Sequence, residues 1–398
     1  MATAWMTYTQ TTPTNNKIWT WSGWFKIGEI TADSHIFQCN PAGYTRVRFT
    51  SAAVMAFDGS DTGGSNAFDL VSDRVFRDPA AWYHLVIAFD VTQATPADRV
   101  KIYINGTQET SFSTETYPAQ DATYPINLAS TPFYIGKHSS AGNYFNGSMS
   151  WVQLVDGLAL APTEFGSVDA TSGIWKITPT AYATPGANGF CLKMEDRSNL
   201  DLDTSSNAHT FTTGGTVTAT YDNPSNNFAT WNPLVPNYTP ANNASYANGN
   251  TSSTTTATGG LGGITSLGSD ISKWYAEIKL ISESTSVASC VGVYKNPWDS
   301  LGGNSPHDSN KFYGMRSDGS KFTATVATGS WGASYAAGDI MSLALDLDND
   351  RLYIAKNGLW CDGSGNFDEA SPDAYVTLSA DDTWFFGCGD SEGGGTAN

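Results

Sequence analysis

The chain has 398 residues, with 38 acidic side chains against 20 basic ones and a net charge of −18. That balance excludes sequence-independent nucleic-acid binding, which needs clustered Lys and Arg to displace phosphate counterions, and disfavours anionic membranes. With 39 glycines, 17 prolines and abundant Thr, Ser and Asn, and with short alternating apolar runs in place of a 3.6-residue period, the class is all-β. Met1 to Tyr8 has neither a basic nor an apolar stretch, so no secretory signal is expected and synthesis is placed in the cytoplasm. No run approaches the ~18 apolar residues of a membrane span, so no membrane insertion is expected. The 5 cysteines are odd in number, scattered and without a CxxC pair, which predicts free buried thiols.

In chain order, Trp19 to Lys26 alternates like a strand packed on one face. Ser34–Cys39 and Tyr44–Phe49 follow as a hairpin. Trp82 to Asp90 leads through a polar turn into Val100 to Ile104 and an Asn105-Gly106 hairpin signal. Leu85, Ile87 and Phe89 share one face, as do Ile102 and Ile104. Pro132 to Gly136 and Phe145 to Val155 complete a first domain of residues 1–168. The order of these segments, with "WYHLVIAFD", "VKIYING", "FYIGK" and "FNGSMSWVQLVDGLAL" in succession, resembles the LamG family of concanavalin-like jelly-roll sandwiches.

Residues 169–232 read as an ordered, Thr/Asn-rich connector. Between Thr204 and Ser272 only Asp222 and Asp270 are charged, yet Phe211, Tyr221, Phe228 and Trp231 persist, which a disordered linker would lack. Residues 233–398 resemble a SPRY domain through Lys273 to Leu280, Val291 to Tyr294, Phe312 to Lys321, Trp384 to Gly389 and a second strand–turn–strand block. That block runs from Gly338 to Gly358 and repeats the logic of the first hairpin, ending on Asn357-Gly358. SPRY domains close with a further strand, so this part appears incomplete at its C-terminus, trimmed or completed by a strand from a partner. The expected architecture is two antiparallel β-sandwich (jelly-roll, concanavalin-like) domains joined by a loop-rich β connector.

Glycanases on such folds place carboxylates at alternate strand positions, both facing the cleft. The close pairs here are Asp346 with Asp348, at a hairpin turn, and Asp201 with Asp203, in a polar loop. The 5 histidines are scattered and no Gly-x-Ser-x-Gly elbow occurs, so no catalytic residue is assigned. The LamG resemblance implies calcium at a rim, for which Asp58, Asp61 and Asp69 are the candidates; the same residue types also make turns. Saccharide binding by loop aromatics beside Asn or Asp singles out Asn143 and Tyr144 in the first domain, and Tyr294, Asn296 and Trp298 in the last.

Two such modules on one chain, with "FRDPAAWYHLVIAFDVTQATPADRVKIYINGTQ" between Phe76 and Gln108, resemble the virion surface proteins of tailed bacteriophages. The resemblance implies a capsid-decoration or tail-fibre component at the virion surface, made in the host bacterial cytoplasm, acting as a non-catalytic adhesion module. Its partners would be other virion proteins, cell-surface polysaccharide and further copies of itself. A glycan-degrading tail depolymerase and a decoration protein with no ligand are the competing readings.

Overall fold

Strict alternation becomes strand wherever one side of the pleat can be buried. Leu85, Ile87 and Phe89 in the strand Trp82–Asp90 point into one core, together with Val100, Ile102 and Ile104 of the strand Val100–Ile104. The Asn-Gly turns are left-handed at both positions, with φ of 49° and 78° at Asn105 and Gly106 and 51° and 88° at Asn357 and Gly358. Two successive positive φ values define the type I′ turn that matches strand twist. The structure, a computed structural model, describes all residues except 1–2, 29–32, 41–42, 66, 141, 234–243, 256–259, 284–288, 296–309, 325, 330, 381, 391–395 and 398. Almost all of the regular structure is β, in multiple antiparallel sheets.

The chain divides into two compact units, Met1–Phe228 and Ala229–Asn398. The first packs an eight-stranded sheet on a six-stranded one. Across the eight-stranded sheet the strands run Phe112–Thr116, Phe68–Val75, Val54–Ser60, Tyr44–Phe49, Ser34–Cys39, Pro132–Ile135, Trp5–Thr9 and Thr212–Gly214. Across the six-stranded sheet they run Phe190–Leu192, Gly147–Asp156, Ile18–Ile27, Trp82–Asp90, Val100–Ile104 and Thr107–Gln108. Between the layers lies an aromatic core in which Trp19 stacks on Phe89 at 4.6 Å and Phe37 on Phe133 at 5.4 Å. Residues 169–228, read from sequence as a connector, contribute to this unit. Phe190–Leu192 and Thr212–Gly214 extend its two sheets, and Gly166–Val168 pairs with Trp175–Ile177.

The second unit also layers two sheets. Its nine-stranded sheet is centred on Lys273–Ser282, Ile340–Asp346 and Arg351–Lys356, and Thr396–Ala397 pairs on both sides, with Ser252–Thr255 and Lys273–Ser282. Its six-stranded sheet is centred on Trp384–Asp390 and Ser289–Lys295. Met341, Leu343, Leu345, Leu352 and Ile354 fill the core between them. All of the cysteines (Cys39, Cys191, Cys290, Cys361, Cys388) are buried free thiols.

A buried carboxylate ties the first unit together. Asp156 is 2% exposed and accepts from Thr14 N at 2.6 Å, Asn15 N at 3.0 Å, Asn127 Nδ2 at 2.6 Å and Asn188 N at 3.1 Å. Replacing it with Ala leaves the donors on Asn127 and Asn188 buried without an acceptor, a loss of about 3–5 kcal/mol. Thermal unfolding of Asp156→Ala should begin roughly 10 °C earlier for a unit of this size. An unchanged transition would refute the assigned role.

Candidate functional site

The two outer faces of the first unit differ. That of the six-stranded sheet is closed. Trp24, Trp82, Trp151 and Cys191 form a second cluster there, capped by Trp175 and Ile177. Lys26, 1% exposed, points into this layer and pairs with Asp222 at 2.8 Å, donating also to Asn227 Oδ1 at 2.8 Å and Phe228 O at 2.6 Å. Burial pulls the Lys26 ammonium below its usual range, and Asp222 restores part of it. The Trp82 indole donates to the other oxygen of Asp222 at 2.8 Å, so segment 220–228 is locked over the sheet.

His84 sits in the same layer between the Trp24 ring at 4.7 Å and the Trp175 ring at 6.0 Å. Its Nε2 lies 2.8 Å from Ser22 Oγ, a spacing that suggests a nucleophile and its base. The proton inventory says otherwise. The Trp175 indole can only donate, and it donates to His84 Nδ1 at 2.9 Å. The neutral ring therefore carries its proton on Nε2 and donates to Ser22. His84 cannot take a proton from that hydroxyl, and both residues are fully buried.

The outer face of the eight-stranded sheet carries the candidate site. Strand register aligns Thr212, Thr7, Tyr134, Gln38, Arg46, Asp58, Asp69 and Thr116 in one row across all of its strands. Each neighbours core residues along its strand: Met6 and Tyr8 flank Thr7, Phe37 and Cys39 flank Gln38, and Phe68 and Leu70 flank Asp69. Alternation therefore sends the row outward. Asp58 is gripped by Arg46 at 2.8 Å and Arg48 at 3.2 Å, and Arg48 also meets Asp33 at 2.9 Å. Partial burial and the charge of Asp58 opposite push the Asp69 carboxyl up. Three polar atoms of the row, Thr7 Oγ1, Gln38 Oε1 and Asp69 Oδ1, are buried without a hydrogen-bond partner.

A ridge to which residues 137–140 and 142–144 belong rests on the row. Lys137 and Tyr144 pair as a β-bridge at its base, and His138 N bonds Asn143 O at 3.2 Å across it. Gln38 Nε2 donates to Ser139 Oγ at 3.0 Å. His138 meets the buried His35 edge to face at 4.9 Å, and neither ring nitrogen of His35 has a partner. On the side of the ridge towards Trp5, the Lys137 ammonium lies 4.0 Å from the Trp5 ring and 5.0 Å from that of Tyr134. On the other side lie the Arg46–Asp58–Asp69 charges.

Two of the residues picked from sequence, Asn143 and Tyr144, are on this ridge, the first exposed and the second half-buried. Tyr294 is a correction. Its ring is wholly buried in the strand Ser289–Lys295, 5.0 Å from Phe312, and offers no face to a saccharide. Asn296 and Trp298 lie outside the described residues. Of the calcium candidates, Asp58 is occupied by two guanidinium groups and Asp61 Oδ1 accepts Ser65 N at 2.8 Å within its own turn. Among the described residues no group of three or more His, Cys, Asp or Glu is arranged to hold a metal ion. Asp203, one of the paired acids, is likewise occupied by Cys191 N, Ser205 N and His209 N. Thr7, Gln38, Arg46 and Tyr134 were not visible as a site, because only register brings them together.

Residues 2–164 match the family profile of the concanavalin A-like lectin/glucanases superfamily. The match lies within the first unit, whose antiparallel sandwich is concanavalin-like. No curated protein matches this chain. Similar solved structures include a Bacteroides ovatus protein assigned to carbohydrate binding, with 16% identity, 56% of this chain and 59% of that one covered, and a TM-score of 0.38. A heptameric SAP-like pentraxin from Limulus polyphemus shares 16% identity over 41% of this chain and 74% of its own, with a TM-score of 0.31. The SPRY domain of human HERC1 shares 16% identity over 34% of this chain and 79% of its own, with a TM-score of 0.26.

Burial drives both His84 and His35 from the usual 6.5 down to about 3, with Arg46, His138 and Arg48 adding to the effect at His35. Each is neutral when folded and protonates more readily when unfolded, so the unfolded chain binds more protons between pH 6.5 and about 3. Stability is then greatest above pH 6.5 and falls on acidification, approaching roughly 2.7 kcal/mol per pH unit for two protons. Urea unfolding followed from about pH 6.5 to 5, above the carboxylate range, should show this slope, roughly halved in His84→Phe. A flat profile would contradict the assignment.

Proposed function

We propose that this chain is a non-catalytic adhesion protein that binds saccharide on the outer face of its eight-stranded sheet and is displayed at the surface of a bacteriophage virion. The observation that carries the binding reading is the register-built polar row with unpartnered oxygens on Thr7, Gln38 and Asp69. A polar atom left unpaired costs about 1–3 kcal/mol, and ligand hydroxyls that reach it after a side-chain rotation recover that cost. Beside the ridge the Lys137 ammonium caps the rings of Trp5 and Tyr134, which leaves their edges, and Asn143 and Tyr144 supply the ridge itself. The superfamily matched by residues 2–164 takes in lectins, which supports the same direction. The virion setting rests on the order of modules along the sequence, with other virion proteins and cell-surface polysaccharide as partners.

Asp58 and Asp69 stand opposite each other as a glycosidase pair might be sought, yet Asp58 is 5% exposed and held by two arginines. A carboxylate so enclosed cannot attack an anomeric carbon. Glycan-array binding of the full chain, repeated with Gln38→Ala and Asp69→Ala together, should lose at least about tenfold in affinity, or 1.4 kcal/mol. No reducing sugar should be released from the polysaccharide that binds. Undiminished binding in the double variant would refute the site, and hydrolysis would refute the non-catalytic reading. Immunogold imaging of purified particles checks the setting, and a chain absent from virions sinks it.

A further inference from the structure

We propose that the strand Lys273–Ser282 offers an open edge on which a second copy of this chain pairs, antiparallel and about a twofold axis at Tyr275. One side of this strand is taken by Ile340–Asp346, which pairs with it from Lys273 to Lys279. On the other side Thr396–Ala397 reaches only Leu280 and Ser282. Among the described residues no strand pairs with Lys273 to Lys279 on that second side.

The bonds at the two ends of the strand fix where its peptide groups point. Ser272 O accepts Leu347 N at 3.0 Å, Leu280 N donates to Asp339 O at 3.0 Å, and Leu280 O accepts Gly338 N at 2.8 Å. Even-numbered residues therefore bond towards Ile340–Asp346, and peptide groups alternate in direction along a strand. The N–H and C=O of Lys273, Tyr275 and Glu277 consequently point out of the open edge. Exposure marks the same stretch. Ile278 and Leu280 are buried, so Trp274 and Ala276 share the core side of the pleat with them. Trp274 is nevertheless 47% exposed, and Tyr275 on the other side is 58% exposed. An unpaired edge between exposed rings is a template for a strand from another chain.

Charge selects the occupant and its register. When identical strands pair antiparallel about a twofold axis, residues of equal parity face each other, so the axis passes through a residue. An axis at Ala276 would set Lys273 against Lys279, a repulsive pair. An axis at Tyr275 sets Lys273 against the second copy's Glu277 on both sides of it, Tyr275 against its own copy, and Trp274 against the small Ala276. Opposite charges and aromatic rings placed directly across two strands are both stabilising. The Lys273 side chain is 62% exposed where it meets Asp346, so its ammonium can reach the new carboxylate as well. Ser272, at φ 71°, ends the extended stretch and confines the pairing to Lys273 through Glu277. Within that stretch each outward peptide group gains a partner.

Sedimentation equilibrium of the full chain should show a weak, concentration-dependent dimer, since so short an edge buries less than the ~1,600 Å² of a standard interface. Tyr275→Pro removes an N–H that the fold does not use, so it should abolish the dimer and leave circular dichroism unchanged. Lys273→Glu and Glu277→Lys should each weaken self-association at least about tenfold, because each sets like charges across the axis. Mixed in equal amounts, these two variants should associate again, since every opposed pair is then of opposite charge. That rescue separates the pairing from damage to the fold. The proposal is overturned if the chain stays monomeric up to about 300 µM, a concentration at which even a weak pairing of about 5 kcal/mol would register. It is equally overturned if Tyr275→Pro associates as before, or if the mixture associates no better than either variant alone. None of the substitutions touches the eight-stranded sheet, so failure here leaves the saccharide reading standing, and the converse also holds.

Discussion

The first unit depends on one carboxylate placed where no water can serve it. Asp156 ends the strand Gly147–Asp156 and collects donors from the segment after the first strand, from the 127 loop and from the 188 loop. Asn188 and Asn127 then bond each other at 3.0 Å, and Tyr8 donates to Asn188 O at 2.6 Å. A buried charge is tolerated only when its lone pairs are filled, so the network is satisfied as a whole or not at all. By fixing residues 11–15 it fixes the strand Trp5–Thr9, and with it the edge of the sheet that carries the polar row.

The same unit shows why one sheet face is available and the other is not. Trp24, Trp82 and Trp151 would form an exposed apolar patch, and the chain from Val168 to Phe228 folds back to cover it. Lys26 and Asp222 secure that cover. Such a pair contributes little net stability over an apolar replacement, but removing one partner strands the other, so it specifies where the cover lies. The eight-stranded sheet has polar residues at the equivalent positions, and the ridge resting on Gln38 covers part of them.

Much of the fold was legible in the sequence. Period-two alternation marked the strands through Leu85, Ile87 and Phe89, and the Asn105-Gly106 and Asn357-Gly358 turns took the backbone geometry that their residues predict. The candidate site was far less legible. Gln38 and Tyr134 are neighbours only because strands distant in sequence pair, and no local pattern announces such a register. Tyr294 misled for the opposite reason. It stands beside Asn296, Pro297 and Trp298, a composition typical of loops, but Gly292 and Gly314 leave room for the ring of Phe312 against which it packs. The packing role of residues 169–228 was hidden too, because from Thr204 to Phe228 only Asp222 is charged, which suits a spacer as well as a cover.

The ridge that begins at Lys137 separates two kinds of obligation. Residues of the row are tied by alternation to core neighbours, so altering them risks the sandwich. Ser140, Gly142 and Asn143 carry no such tie, being exposed. Ser140 can therefore change while the scaffold stays intact, whereas Gly142 and Asn143 hold left-handed backbone, with φ of 99° and 56°, and resist replacement. The ridge is thus a part whose surface can change separately from the sheet beneath it, and replacing Ser140 would alter that surface at little cost in stability.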